Sequence, residues 1–420
     1  MDLLDDAQEL RPELIGLRAA LHREPEVGLE LPRTRDRVLA ALAGLPLEIS
    51  TGTATTSVTA VLRGTAPGTA PGTAPGTAPD AAPGAASASD QGRNTVLLRG
   101  DMDALPLDER SGEDFSATNG AMHACGHDLH TSALVGAARL LCAHRDRLAG
   151  DVVFMFQPGE EGYDGAGVMI REGVLDAAGR RPDHAYALHV LPHALPAGIV
   201  AGRPGPMLAA AYELDVTVRG AGGHGAFPHL ARDPIMAAAE MVGALQVAVA
   251  RSFDAFDPVI FSVGVLRGGT ARNIIPDTAS FEATVRAFNP DLEDRLRETF
   301  TRSVRGVAAA HGVEVDVELS AQYPATINDA TEVEFAAGVA RELLGEERYY
   351  PMPNPVNASE DFSRVLDAVP GAMFLLGACP PGLEPEAAPA NHSPLARFDG
   401  SVLPTAAALL ADLAANRLAG

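Results

Sequence analysis

The stretch DVVFMFQPGEEG, residues 151–162, runs through five consecutive apolar residues and ends on two adjacent carboxylates. A continuous apolar run of this length, bounded by turn residues, is typical of a strand buried on both faces in a parallel sheet. Pro158 and Gly159 end the run. Because α/β proteins place their chemistry at the carboxyl ends of such strands, Glu160 and Glu161 mark this sheet edge as a candidate site.

The segments on either side of this strand alternate between helical and strand patterns. TSALVGAARLLCAHRDRL (131–148) keeps a helical period before it, and GVMIREGVLD (167–176) predicts a helix after it. HAYALHVLP (184–192) then predicts a short buried strand that ends on His189. Leucines at helical spacing from Leu3 to Leu21 predict an amphipathic first helix. The alternation predicts an α/β layer architecture.

The pattern changes near residue 205, which predicts a second domain inserted into the first. The order from YELDVTVRG (212–220) to VEVDVEL (313–319) is strand, helix, strand, strand, helix, strand, which is that of a ferredoxin-like α+β unit. We therefore predict a catalytic domain formed by 1–205 and 319–420, interrupted by an inserted domain at 206–318. The TAPG repeats at 65–93 offer no apolar face and are predicted to be a hairpin insertion without a function of their own.

The composition excludes several classes of partner. The 420-residue chain has a formal net charge of −23, and all of its basic side chains other than histidine are arginines. Such an acidic chain should bind neither nucleic acid nor an anionic membrane surface. No apolar stretch reaches the ~20 residues of a membrane-spanning helix, and the acidic amino terminus is unlike a signal peptide. Three cysteines cannot form a closed set of disulfides, so a disulfide scaffold is not expected. We therefore predict a soluble, cytoplasmic protein.

Metal donors are concentrated in MHACGHDLH, residues 122–130. Cys125 and His127 are two apart, so on a loop their side chains can share a zinc-like cation. An isolated pair of this kind is more often a reduced core cysteine beside surface histidines. Glu160 and Glu161 could ligate a cation and handle protons, although an acidic turn is the common alternative.

Two further histidines are weak signals individually and gain weight from their positions. His189 ends a predicted buried strand, and His392 lies in NHSP near the carboxyl terminus. Two other interpretations stay open on the residues alone. Cys125 paired with His127 or His130 could be a nucleophile, and the chain could bind metal without catalysis.

The ordered motifs RGDMDALPL, MHACGHDLH, FQPGEEG, ALHV, GGHGAFPH, GGTARNIIPD, SEDF and NHSP resemble those of a known family. This is the family of metal-dependent amidohydrolases that includes hippurate hydrolases, bacterial N-acyl-amino-acid amidohydrolases and plant auxin-conjugate hydrolases, in the dinuclear metallopeptidase superfamily. The resemblance extends from LHREPEVGLE at residue 21 to the final helix, without the TAPG insert. It implies a zinc-exopeptidase-like α/β catalytic domain, with a mixed sheet flanked by helices, and an inserted lid and dimerisation domain.

The resemblance also implies a role for each residue that matches a family motif. Two divalent metal ions per subunit, zinc, manganese or cobalt, would be bound by five residues, with the first of them bridging: Cys125, His127, Glu161, His189 and His392. Glu160 falls at the general base that deprotonates the attacking water. Asp101 and Asp103 match a stretch where wider relatives carry a ligand histidine, and we assign Asp103 to orienting a ligand imidazole. Asp128 could orient an imidazole too, or cap the following helix.

Residues of the inserted domain are implied to meet the substrate. His224 in GGHGAFPH would stabilise developing negative charge from the partner subunit, which implies a homodimer or a homotetramer. Asn273 and Arg286 match substrate-contacting positions, and arginine suits the carboxylate of an amino acid. Glu282 and Ala283 depart from the family pattern, which weakens the prediction of substrate more than that of chemistry.

The function implied is hydrolysis of the amide bond in N-acyl or N-aroyl amino acids, of the aminoacylase or hippurate-hydrolase type. The nearest alternative is a dipeptidase or carboxypeptidase that uses the same dinuclear site. The preferred acyl group and the physiological metal are not specified by the sequence.

Overall fold

The computed structural model describes residues 3–67 and 93–419. Most of the TAPG insert predicted at 65–93 therefore lies outside the described residues. The helices are α1 Leu3–Arg23, α2 Pro32–Leu42, α3 His127–Ala143, α4 Gly165–Arg171, α5 Pro234–Ser252, α6 Glu293–His311, α7 Ala330–Leu344, α8 Ser363–Leu366 and α9 Leu403–Leu418.

The strands number sixteen in the part of the chain that the structure describes. They are β1 Leu47–Thr51, β2 Val58–Arg63, β3 Thr95–Asp101, β4 Asp151–Gln157, β5 His184–Leu191, β6 Val200–Gly202, β7 Gly205–Leu208, β8 Ala210–Arg219, β9 Gly223–His224, β10 Val259–Gly268, β11 Ile274–Ile275, β12 Thr278–Ala287, β13 Glu314–Tyr323, β14 Thr326–Asn328, β15 Tyr349–Pro351 and β16 Gly371–Gly377.

The first compact unit, formed by 1–205, 327–354 and 364–420, contains an eight-stranded mixed sheet. Its strand order is β1-β2-β4-β3-β5-β16-β6-β15, and the central neighbours β4, β3, β5 and β16 are parallel. All seven residues of β4 are buried, as the opening sequence stretch predicted. Helices α1, α3 and α9 pack on one another, and their buried residues join those of the central strands in one core. The predicted mixed sheet flanked by helices is confirmed.

The second unit comprises 206–326 and 355–363. Its four-stranded sheet has the order β10-β12-β8-β13, and every neighbouring pair is antiparallel. Numbered along the unit this is 2-3-1-4, with α5 after the first strand and α6 after the third. The order is ferredoxin-like, as predicted.

The predicted boundary at 318 is wrong by several residues. Strand β13 runs on to Tyr323 because its pairing with β8 continues to Ala211, past a bulge between Ala321 and Tyr323. Residues 319–326 therefore belong to the second unit, and 355–363 join it as a separate segment. Sequence periodicity gave no signal for this return of the chain.

One helix among the described residues, α5, is long and apolar enough to cross a membrane, judged by length and composition alone. A single such helix is weak evidence for a span. Ala237, Ala238, Met241 and Leu245 on α5 are buried, and the helix packs against the strands of the second unit. One face of α5 therefore belongs to the fold.

Candidate metal centre and catalytic site

The predicted ligands of the first unit lie near the carboxyl ends of neighbouring parallel strands. Glu161 follows β4, His189 lies near the end of β5, and His392 follows β16. Cys125 immediately precedes α3, and His127 is the first residue of that helix. Because parallel strands end at one edge of a sheet, segments distant in sequence meet there.

Two groups of three side chains share Cys125. Cys125, His127 and His189 form one group, and Cys125, Glu161 and His392 form the other. Within each group the candidate donor atoms lie within 4.8 Å of one another. The predicted ligands are thus brought together, with Cys125 common to both groups; its bridging role stays a prediction.

The Cys125 sulfur has the electrostatic surroundings of a thiolate. It is buried, 3.4 Å from Nε2 of His189 and 3.6 Å from Nδ2 of Asn391. Burial alone would raise the pKa of the Cys125 thiol, but the charge of His189 and the close contacts with the His127 and His189 rings hold it well below its usual value. A thiolate is the form in which cysteine binds metals.

His392 has an unusual backbone as well as acidic neighbours. Its φ of 66° lies in the left-handed region, which is costly for a residue with a Cβ. The peptide N–H donates to the Ala124 carbonyl over 2.9 Å, and Nε2 lies 3.0 Å from Oε1 of Glu161. Contacts with the Cys125 sulfur and the Glu161 carboxylate raise the pKa of His392 to about 10.

Asp103 connects the two glutamates to the first residue of α3. Its carboxylate oxygens accept the peptide N–H groups of Glu160 and Glu161, each over 3.1 Å. Oδ1 of Asp103 also lies 3.3 Å from Nδ1 of His127. The Asp103 carboxylate therefore faces the His127 ring, and its role in orienting a ligand imidazole stays a prediction. A carboxylate oxygen of Glu160 also lies within 4.8 Å of donor atoms of His127 and Glu161.

The side chains present fit divalent cations. One thiolate, one carboxylate and three imidazoles are the donors that zinc and similar ions select. Neither ring nitrogen of His127 has a hydrogen-bond partner of good geometry among the described residues, although both are buried. Burial lowers the pKa of His127, yet the charge of Asp101 and the contact with Asp103 raise it well above its usual value. A cation would supply the missing partner and relieve the repulsion between the anionic donors.

Comparison with known proteins gives the chain its family. The model of peptidase family M20/M25/M40 matches residues 97–416, about three quarters of the 420 residues. The chain belongs to this family. A solved structure from Bacillus subtilis, described as a dinuclear metal binding peptidase of the M20 family, superposes with a TM-score of 0.78 and 27% identity, covering 98% of this chain and 99% of that one.

Relatives of the M20 chain carry out two kinds of hydrolysis. An IAA-amino acid hydrolase from Arabidopsis thaliana (ILR1-like 4) is 35% identical over 410 residues, or 96% of this chain and 86% of that protein. Thermostable carboxypeptidase 2 from Saccharolobus solfataricus is 31% identical over 386 residues, or 90% of each. The M20 protein is a metal-dependent amidohydrolase.

The residues predicted to meet substrate lie in the second unit. His224 and Asn273 line one open cavity of about 480 Å³, where β9 pairs with β11. Nδ1 of His224 accepts the Ala226 N–H over 3.0 Å, so a neutral ring presents its proton on Nε2 as a donor. Gly222 is required here, because a Cβ would lie 2.6 Å from the Ile275 carbonyl oxygen.

Arg286 does not line the cavity shared by His224 and Asn273. It lies on β12 opposite Ala211 of β8, and its guanidinium donates to the Val285 carbonyl over 3.1 Å. Burial lowers the pKa of Arg286. Its substrate-contacting role stays a prediction.

Asp128 binds an imidazole that is not a metal ligand. Oδ2 accepts from Nδ1 of His22 over 2.9 Å and from Nε of Arg18 over 3.1 Å. Nε2 of His22 lies 3.1 Å from Glu109. The sequence interpretation missed this buried network. The signal was present, because His22 lies in LHREPE, where the family resemblance begins.

We predict that His22 stabilises the M20 fold in a pH-dependent way. Burial lowers its pKa, but Asp128 and Glu109 raise it from 6.5 to about 9. A raised folded-state pKa gives stabilisation that is full below the unfolded value and is lost as the pH rises through the folded one. His22→Gln should therefore reduce the free energy of unfolding by about 1–3 kcal/mol more at about pH 6 than at about pH 10. Urea denaturation at both pH values measures this, and an equal loss at both would contradict the assignment.

Proposed function

We propose that this M20 amidohydrolase hydrolyses the amide bond of N-acyl or N-aroyl amino acids and releases a carboxylic acid and a free amino acid. The observation that carries the proposal is the Glu160 carboxylate beside a donor set of thiolate, imidazoles and Glu161. The similarity to an IAA-amino acid hydrolase over 96% of the chain supports an acylated amino acid as substrate.

Cys125, His127, Glu161, His189 and His392 would hold two divalent cations, with zinc, manganese or cobalt suited to this donor set. When bound, such a pair supplies Lewis acidity that activates water and polarises the scissile carbonyl. Glu160 would accept the proton of the attacking water and deliver it to the nitrogen of the leaving amine. Asp103 holds the peptides of Glu160 and Glu161, and so fixes the base relative to the ligand.

Residues of the second unit would bind and polarise the substrate. The Nε2 donor of His224 would stabilise the charge that develops on the carbonyl oxygen, and Asn273 in the same cavity would contact the amide. Arg286 would bind the amino-acid carboxylate. We further propose a cytoplasmic site of action, because the three cysteines are free and buried, which suits a reducing compartment.

A carboxypeptidase or dipeptidase activity is the second candidate, favoured by the 31% identity to thermostable carboxypeptidase 2. The two activities use the same dinuclear site and differ in whether the substrate amine is blocked. We predict that the metal-loaded protein releases free amino acid from hippurate and N-acetyl amino acids faster than from unblocked dipeptides. A panel of both classes, followed by a ninhydrin-type amine assay with and without chelator, measures this. Faster cleavage of unblocked dipeptides would favour the second candidate.

We predict that Glu160→Gln abolishes turnover while metal remains bound. The amide keeps the size of the side chain but cannot accept a proton, so kcat should fall by about 10²–10⁴-fold. Metal content per subunit and the melting temperature should match those of the unmodified protein. Unchanged kcat would remove Glu160 as the base, and loss of metal would instead make it a ligand.

We also propose that the active form is a homodimer, or a homotetramer built from it, in which His224 acts on the partner subunit. Strand β10 is one of the two edge strands of its sheet, and Leu266 on it is 56% exposed. Met236 and Val247 on α5 are 58% and 62% exposed. An open sheet edge beside exposed apolar side chains is a surface that a second copy of the chain can cover.

Mixing two inactive variants tests whether His224 acts between subunits. Glu160→Gln and His224→Ala each disable both sites of a homodimer, but a heterodimer has one site with an intact base and an intact partner histidine. Random exchange in a symmetric dimer should restore roughly one quarter of the unmodified activity. No recovery, with heterodimers verified by mass spectrometry, would place His224 in its own subunit's site.

A further inference from the structure

The backbone of Val190, next to His189, is held by three polar side chains. Its N–H donates to Nε2 of His130 over 2.8 Å. Its carbonyl oxygen accepts from Nδ1 of His189 over 2.9 Å and from Nδ2 of Asn391 over 3.2 Å. One residue of β5 thus joins α3, the end of its own strand and the loop before His392.

These contacts set which nitrogen of His189 faces the other donors. The bond from Nδ1 to the Val190 carbonyl leaves Nε2 directed toward the Cys125 sulfur, 3.4 Å away. Asn391 also donates to the Cys125 carbonyl over 3.3 Å. The position of the Val190 backbone therefore affects the donors on either side of Cys125.

His130 can accept the Val190 N–H in one tautomer only. A neutral imidazole that accepts at Nε2 carries its proton on Nδ1. Nδ1 of His130 lies 2.6 Å from Oδ1 of Asp101, which is the acceptor this tautomer needs. The other Asp101 oxygen accepts from Arg99 over 2.7 Å, and Nε of Arg99 donates to Gln157 over 2.9 Å.

A third cation at this place is an alternative that the hydrogen bonds disfavour. Asp101, His127 and His130 also have donor atoms within 4.8 Å of one another. Both nitrogens of His130 are already engaged, however, and Asp101 is paired with Arg99. Binding a cation there would require breaking contacts that are buried and well formed.

A contribution to the stability of the fold does not readily explain the buried Arg99–Asp101 ion pair. Arg99 is 1% exposed and Asp101 is fully buried, within a strand whose seven residues are all buried. Burying an ion pair costs desolvation that its Coulomb attraction often fails to offset. A charged pair at the end of an otherwise apolar strand therefore calls for a role in fixing geometry.

We propose that Arg99, Asp101 and His130 are positioning residues for the His189 ligand: they fix the tautomer of His130 that holds the Val190 peptide. The proposal rests on the proposed function, because it takes His189 and Cys125 as metal ligands. Partners of this kind behind a ligand imidazole commonly change metal affinity by 10–100-fold.

Two substitutions of His130 distinguish the effect of its hydrogen bonds from the effect of its side-chain volume. His130→Leu removes both hydrogen bonds, whereas His130→Gln keeps one acceptor for Val190 and one donor for Asp101. His184→Leu is a matched control. His184 lies at the opposite end of the same strand, β5, where its Nδ1 is 3.1 Å from the Glu332 carboxylate. Zinc affinity per subunit is measured by chelator competition, and the melting temperature of the metal-free proteins is measured in parallel.

We expect His130→Leu to weaken at least one zinc site by about 10–100-fold, His130→Gln to restore most of the affinity, and His184→Leu to leave it unchanged. Unchanged affinity in His130→Leu, or equal losses in all three variants, would overturn the proposal. An unmodified protein that binds no zinc, manganese or cobalt would instead remove the ligand set itself, and with it this inference.

A spectroscopic measurement on the unmodified protein tests the tautomer directly and needs a variant only to assign the His130 signal. Nitrogen-15 shifts of labelled histidines, with His130 assigned by its absence in the His130→Gln spectrum, distinguish protonation at Nδ1 from that at Nε2. We expect neutral His130 with its proton on Nδ1. A proton on Nε2, which would oppose the Val190 N–H, would overturn the proposal.

Discussion

The carboxylate of Asp103 is the contact on which the arrangement of the site most depends. It follows β3, accepts two successive peptide N–H groups from the turn after β4, and faces the first residue of α3. Three segments with no sequence proximity are fixed by one side chain that is itself fully buried. A buried carboxyl group is stable only with hydrogen-bond donors around it, so the fold and the site depend on the same hydrogen bonds.

The negative charges of the donor side chains are balanced within the site itself. A thiolate and a carboxylate share a small volume, and the pKa values of His127 and His392 are raised in response. Protons on imidazoles then balance charges that a cation would balance more completely. Metal binding would release those protons and so would link metal affinity to pH.

Sequence reasoning predicted the fold from periodicity and marked candidate donors by their positions at strand ends, whereas the full set of ligands was implied by the family resemblance. The apolar run of β4 and the order of elements in the second unit are local signals, and the structure confirms them. The return of 355–363 to the second unit and the convergence of Asn391 and His130 on Val190 depend on long-range packing, which no local pattern encodes. Arg99 was a usable signal, because an arginine inside VLLRGD predicts a buried partner.

The central place of β16 in the sheet bears on how the chain can fold. Residues 371–377 pair with β5 on one side and β6 on the other, although both of those strands end by residue 202. During synthesis the edges of β5 and β6 therefore lack their bridging neighbour until nearly the whole polypeptide has left the ribosome. The four strands of the second unit are contiguous in sequence and face no such delay. Assembly of the larger sheet is thus a late, non-local event, during which its open edges are exposed to aggregation.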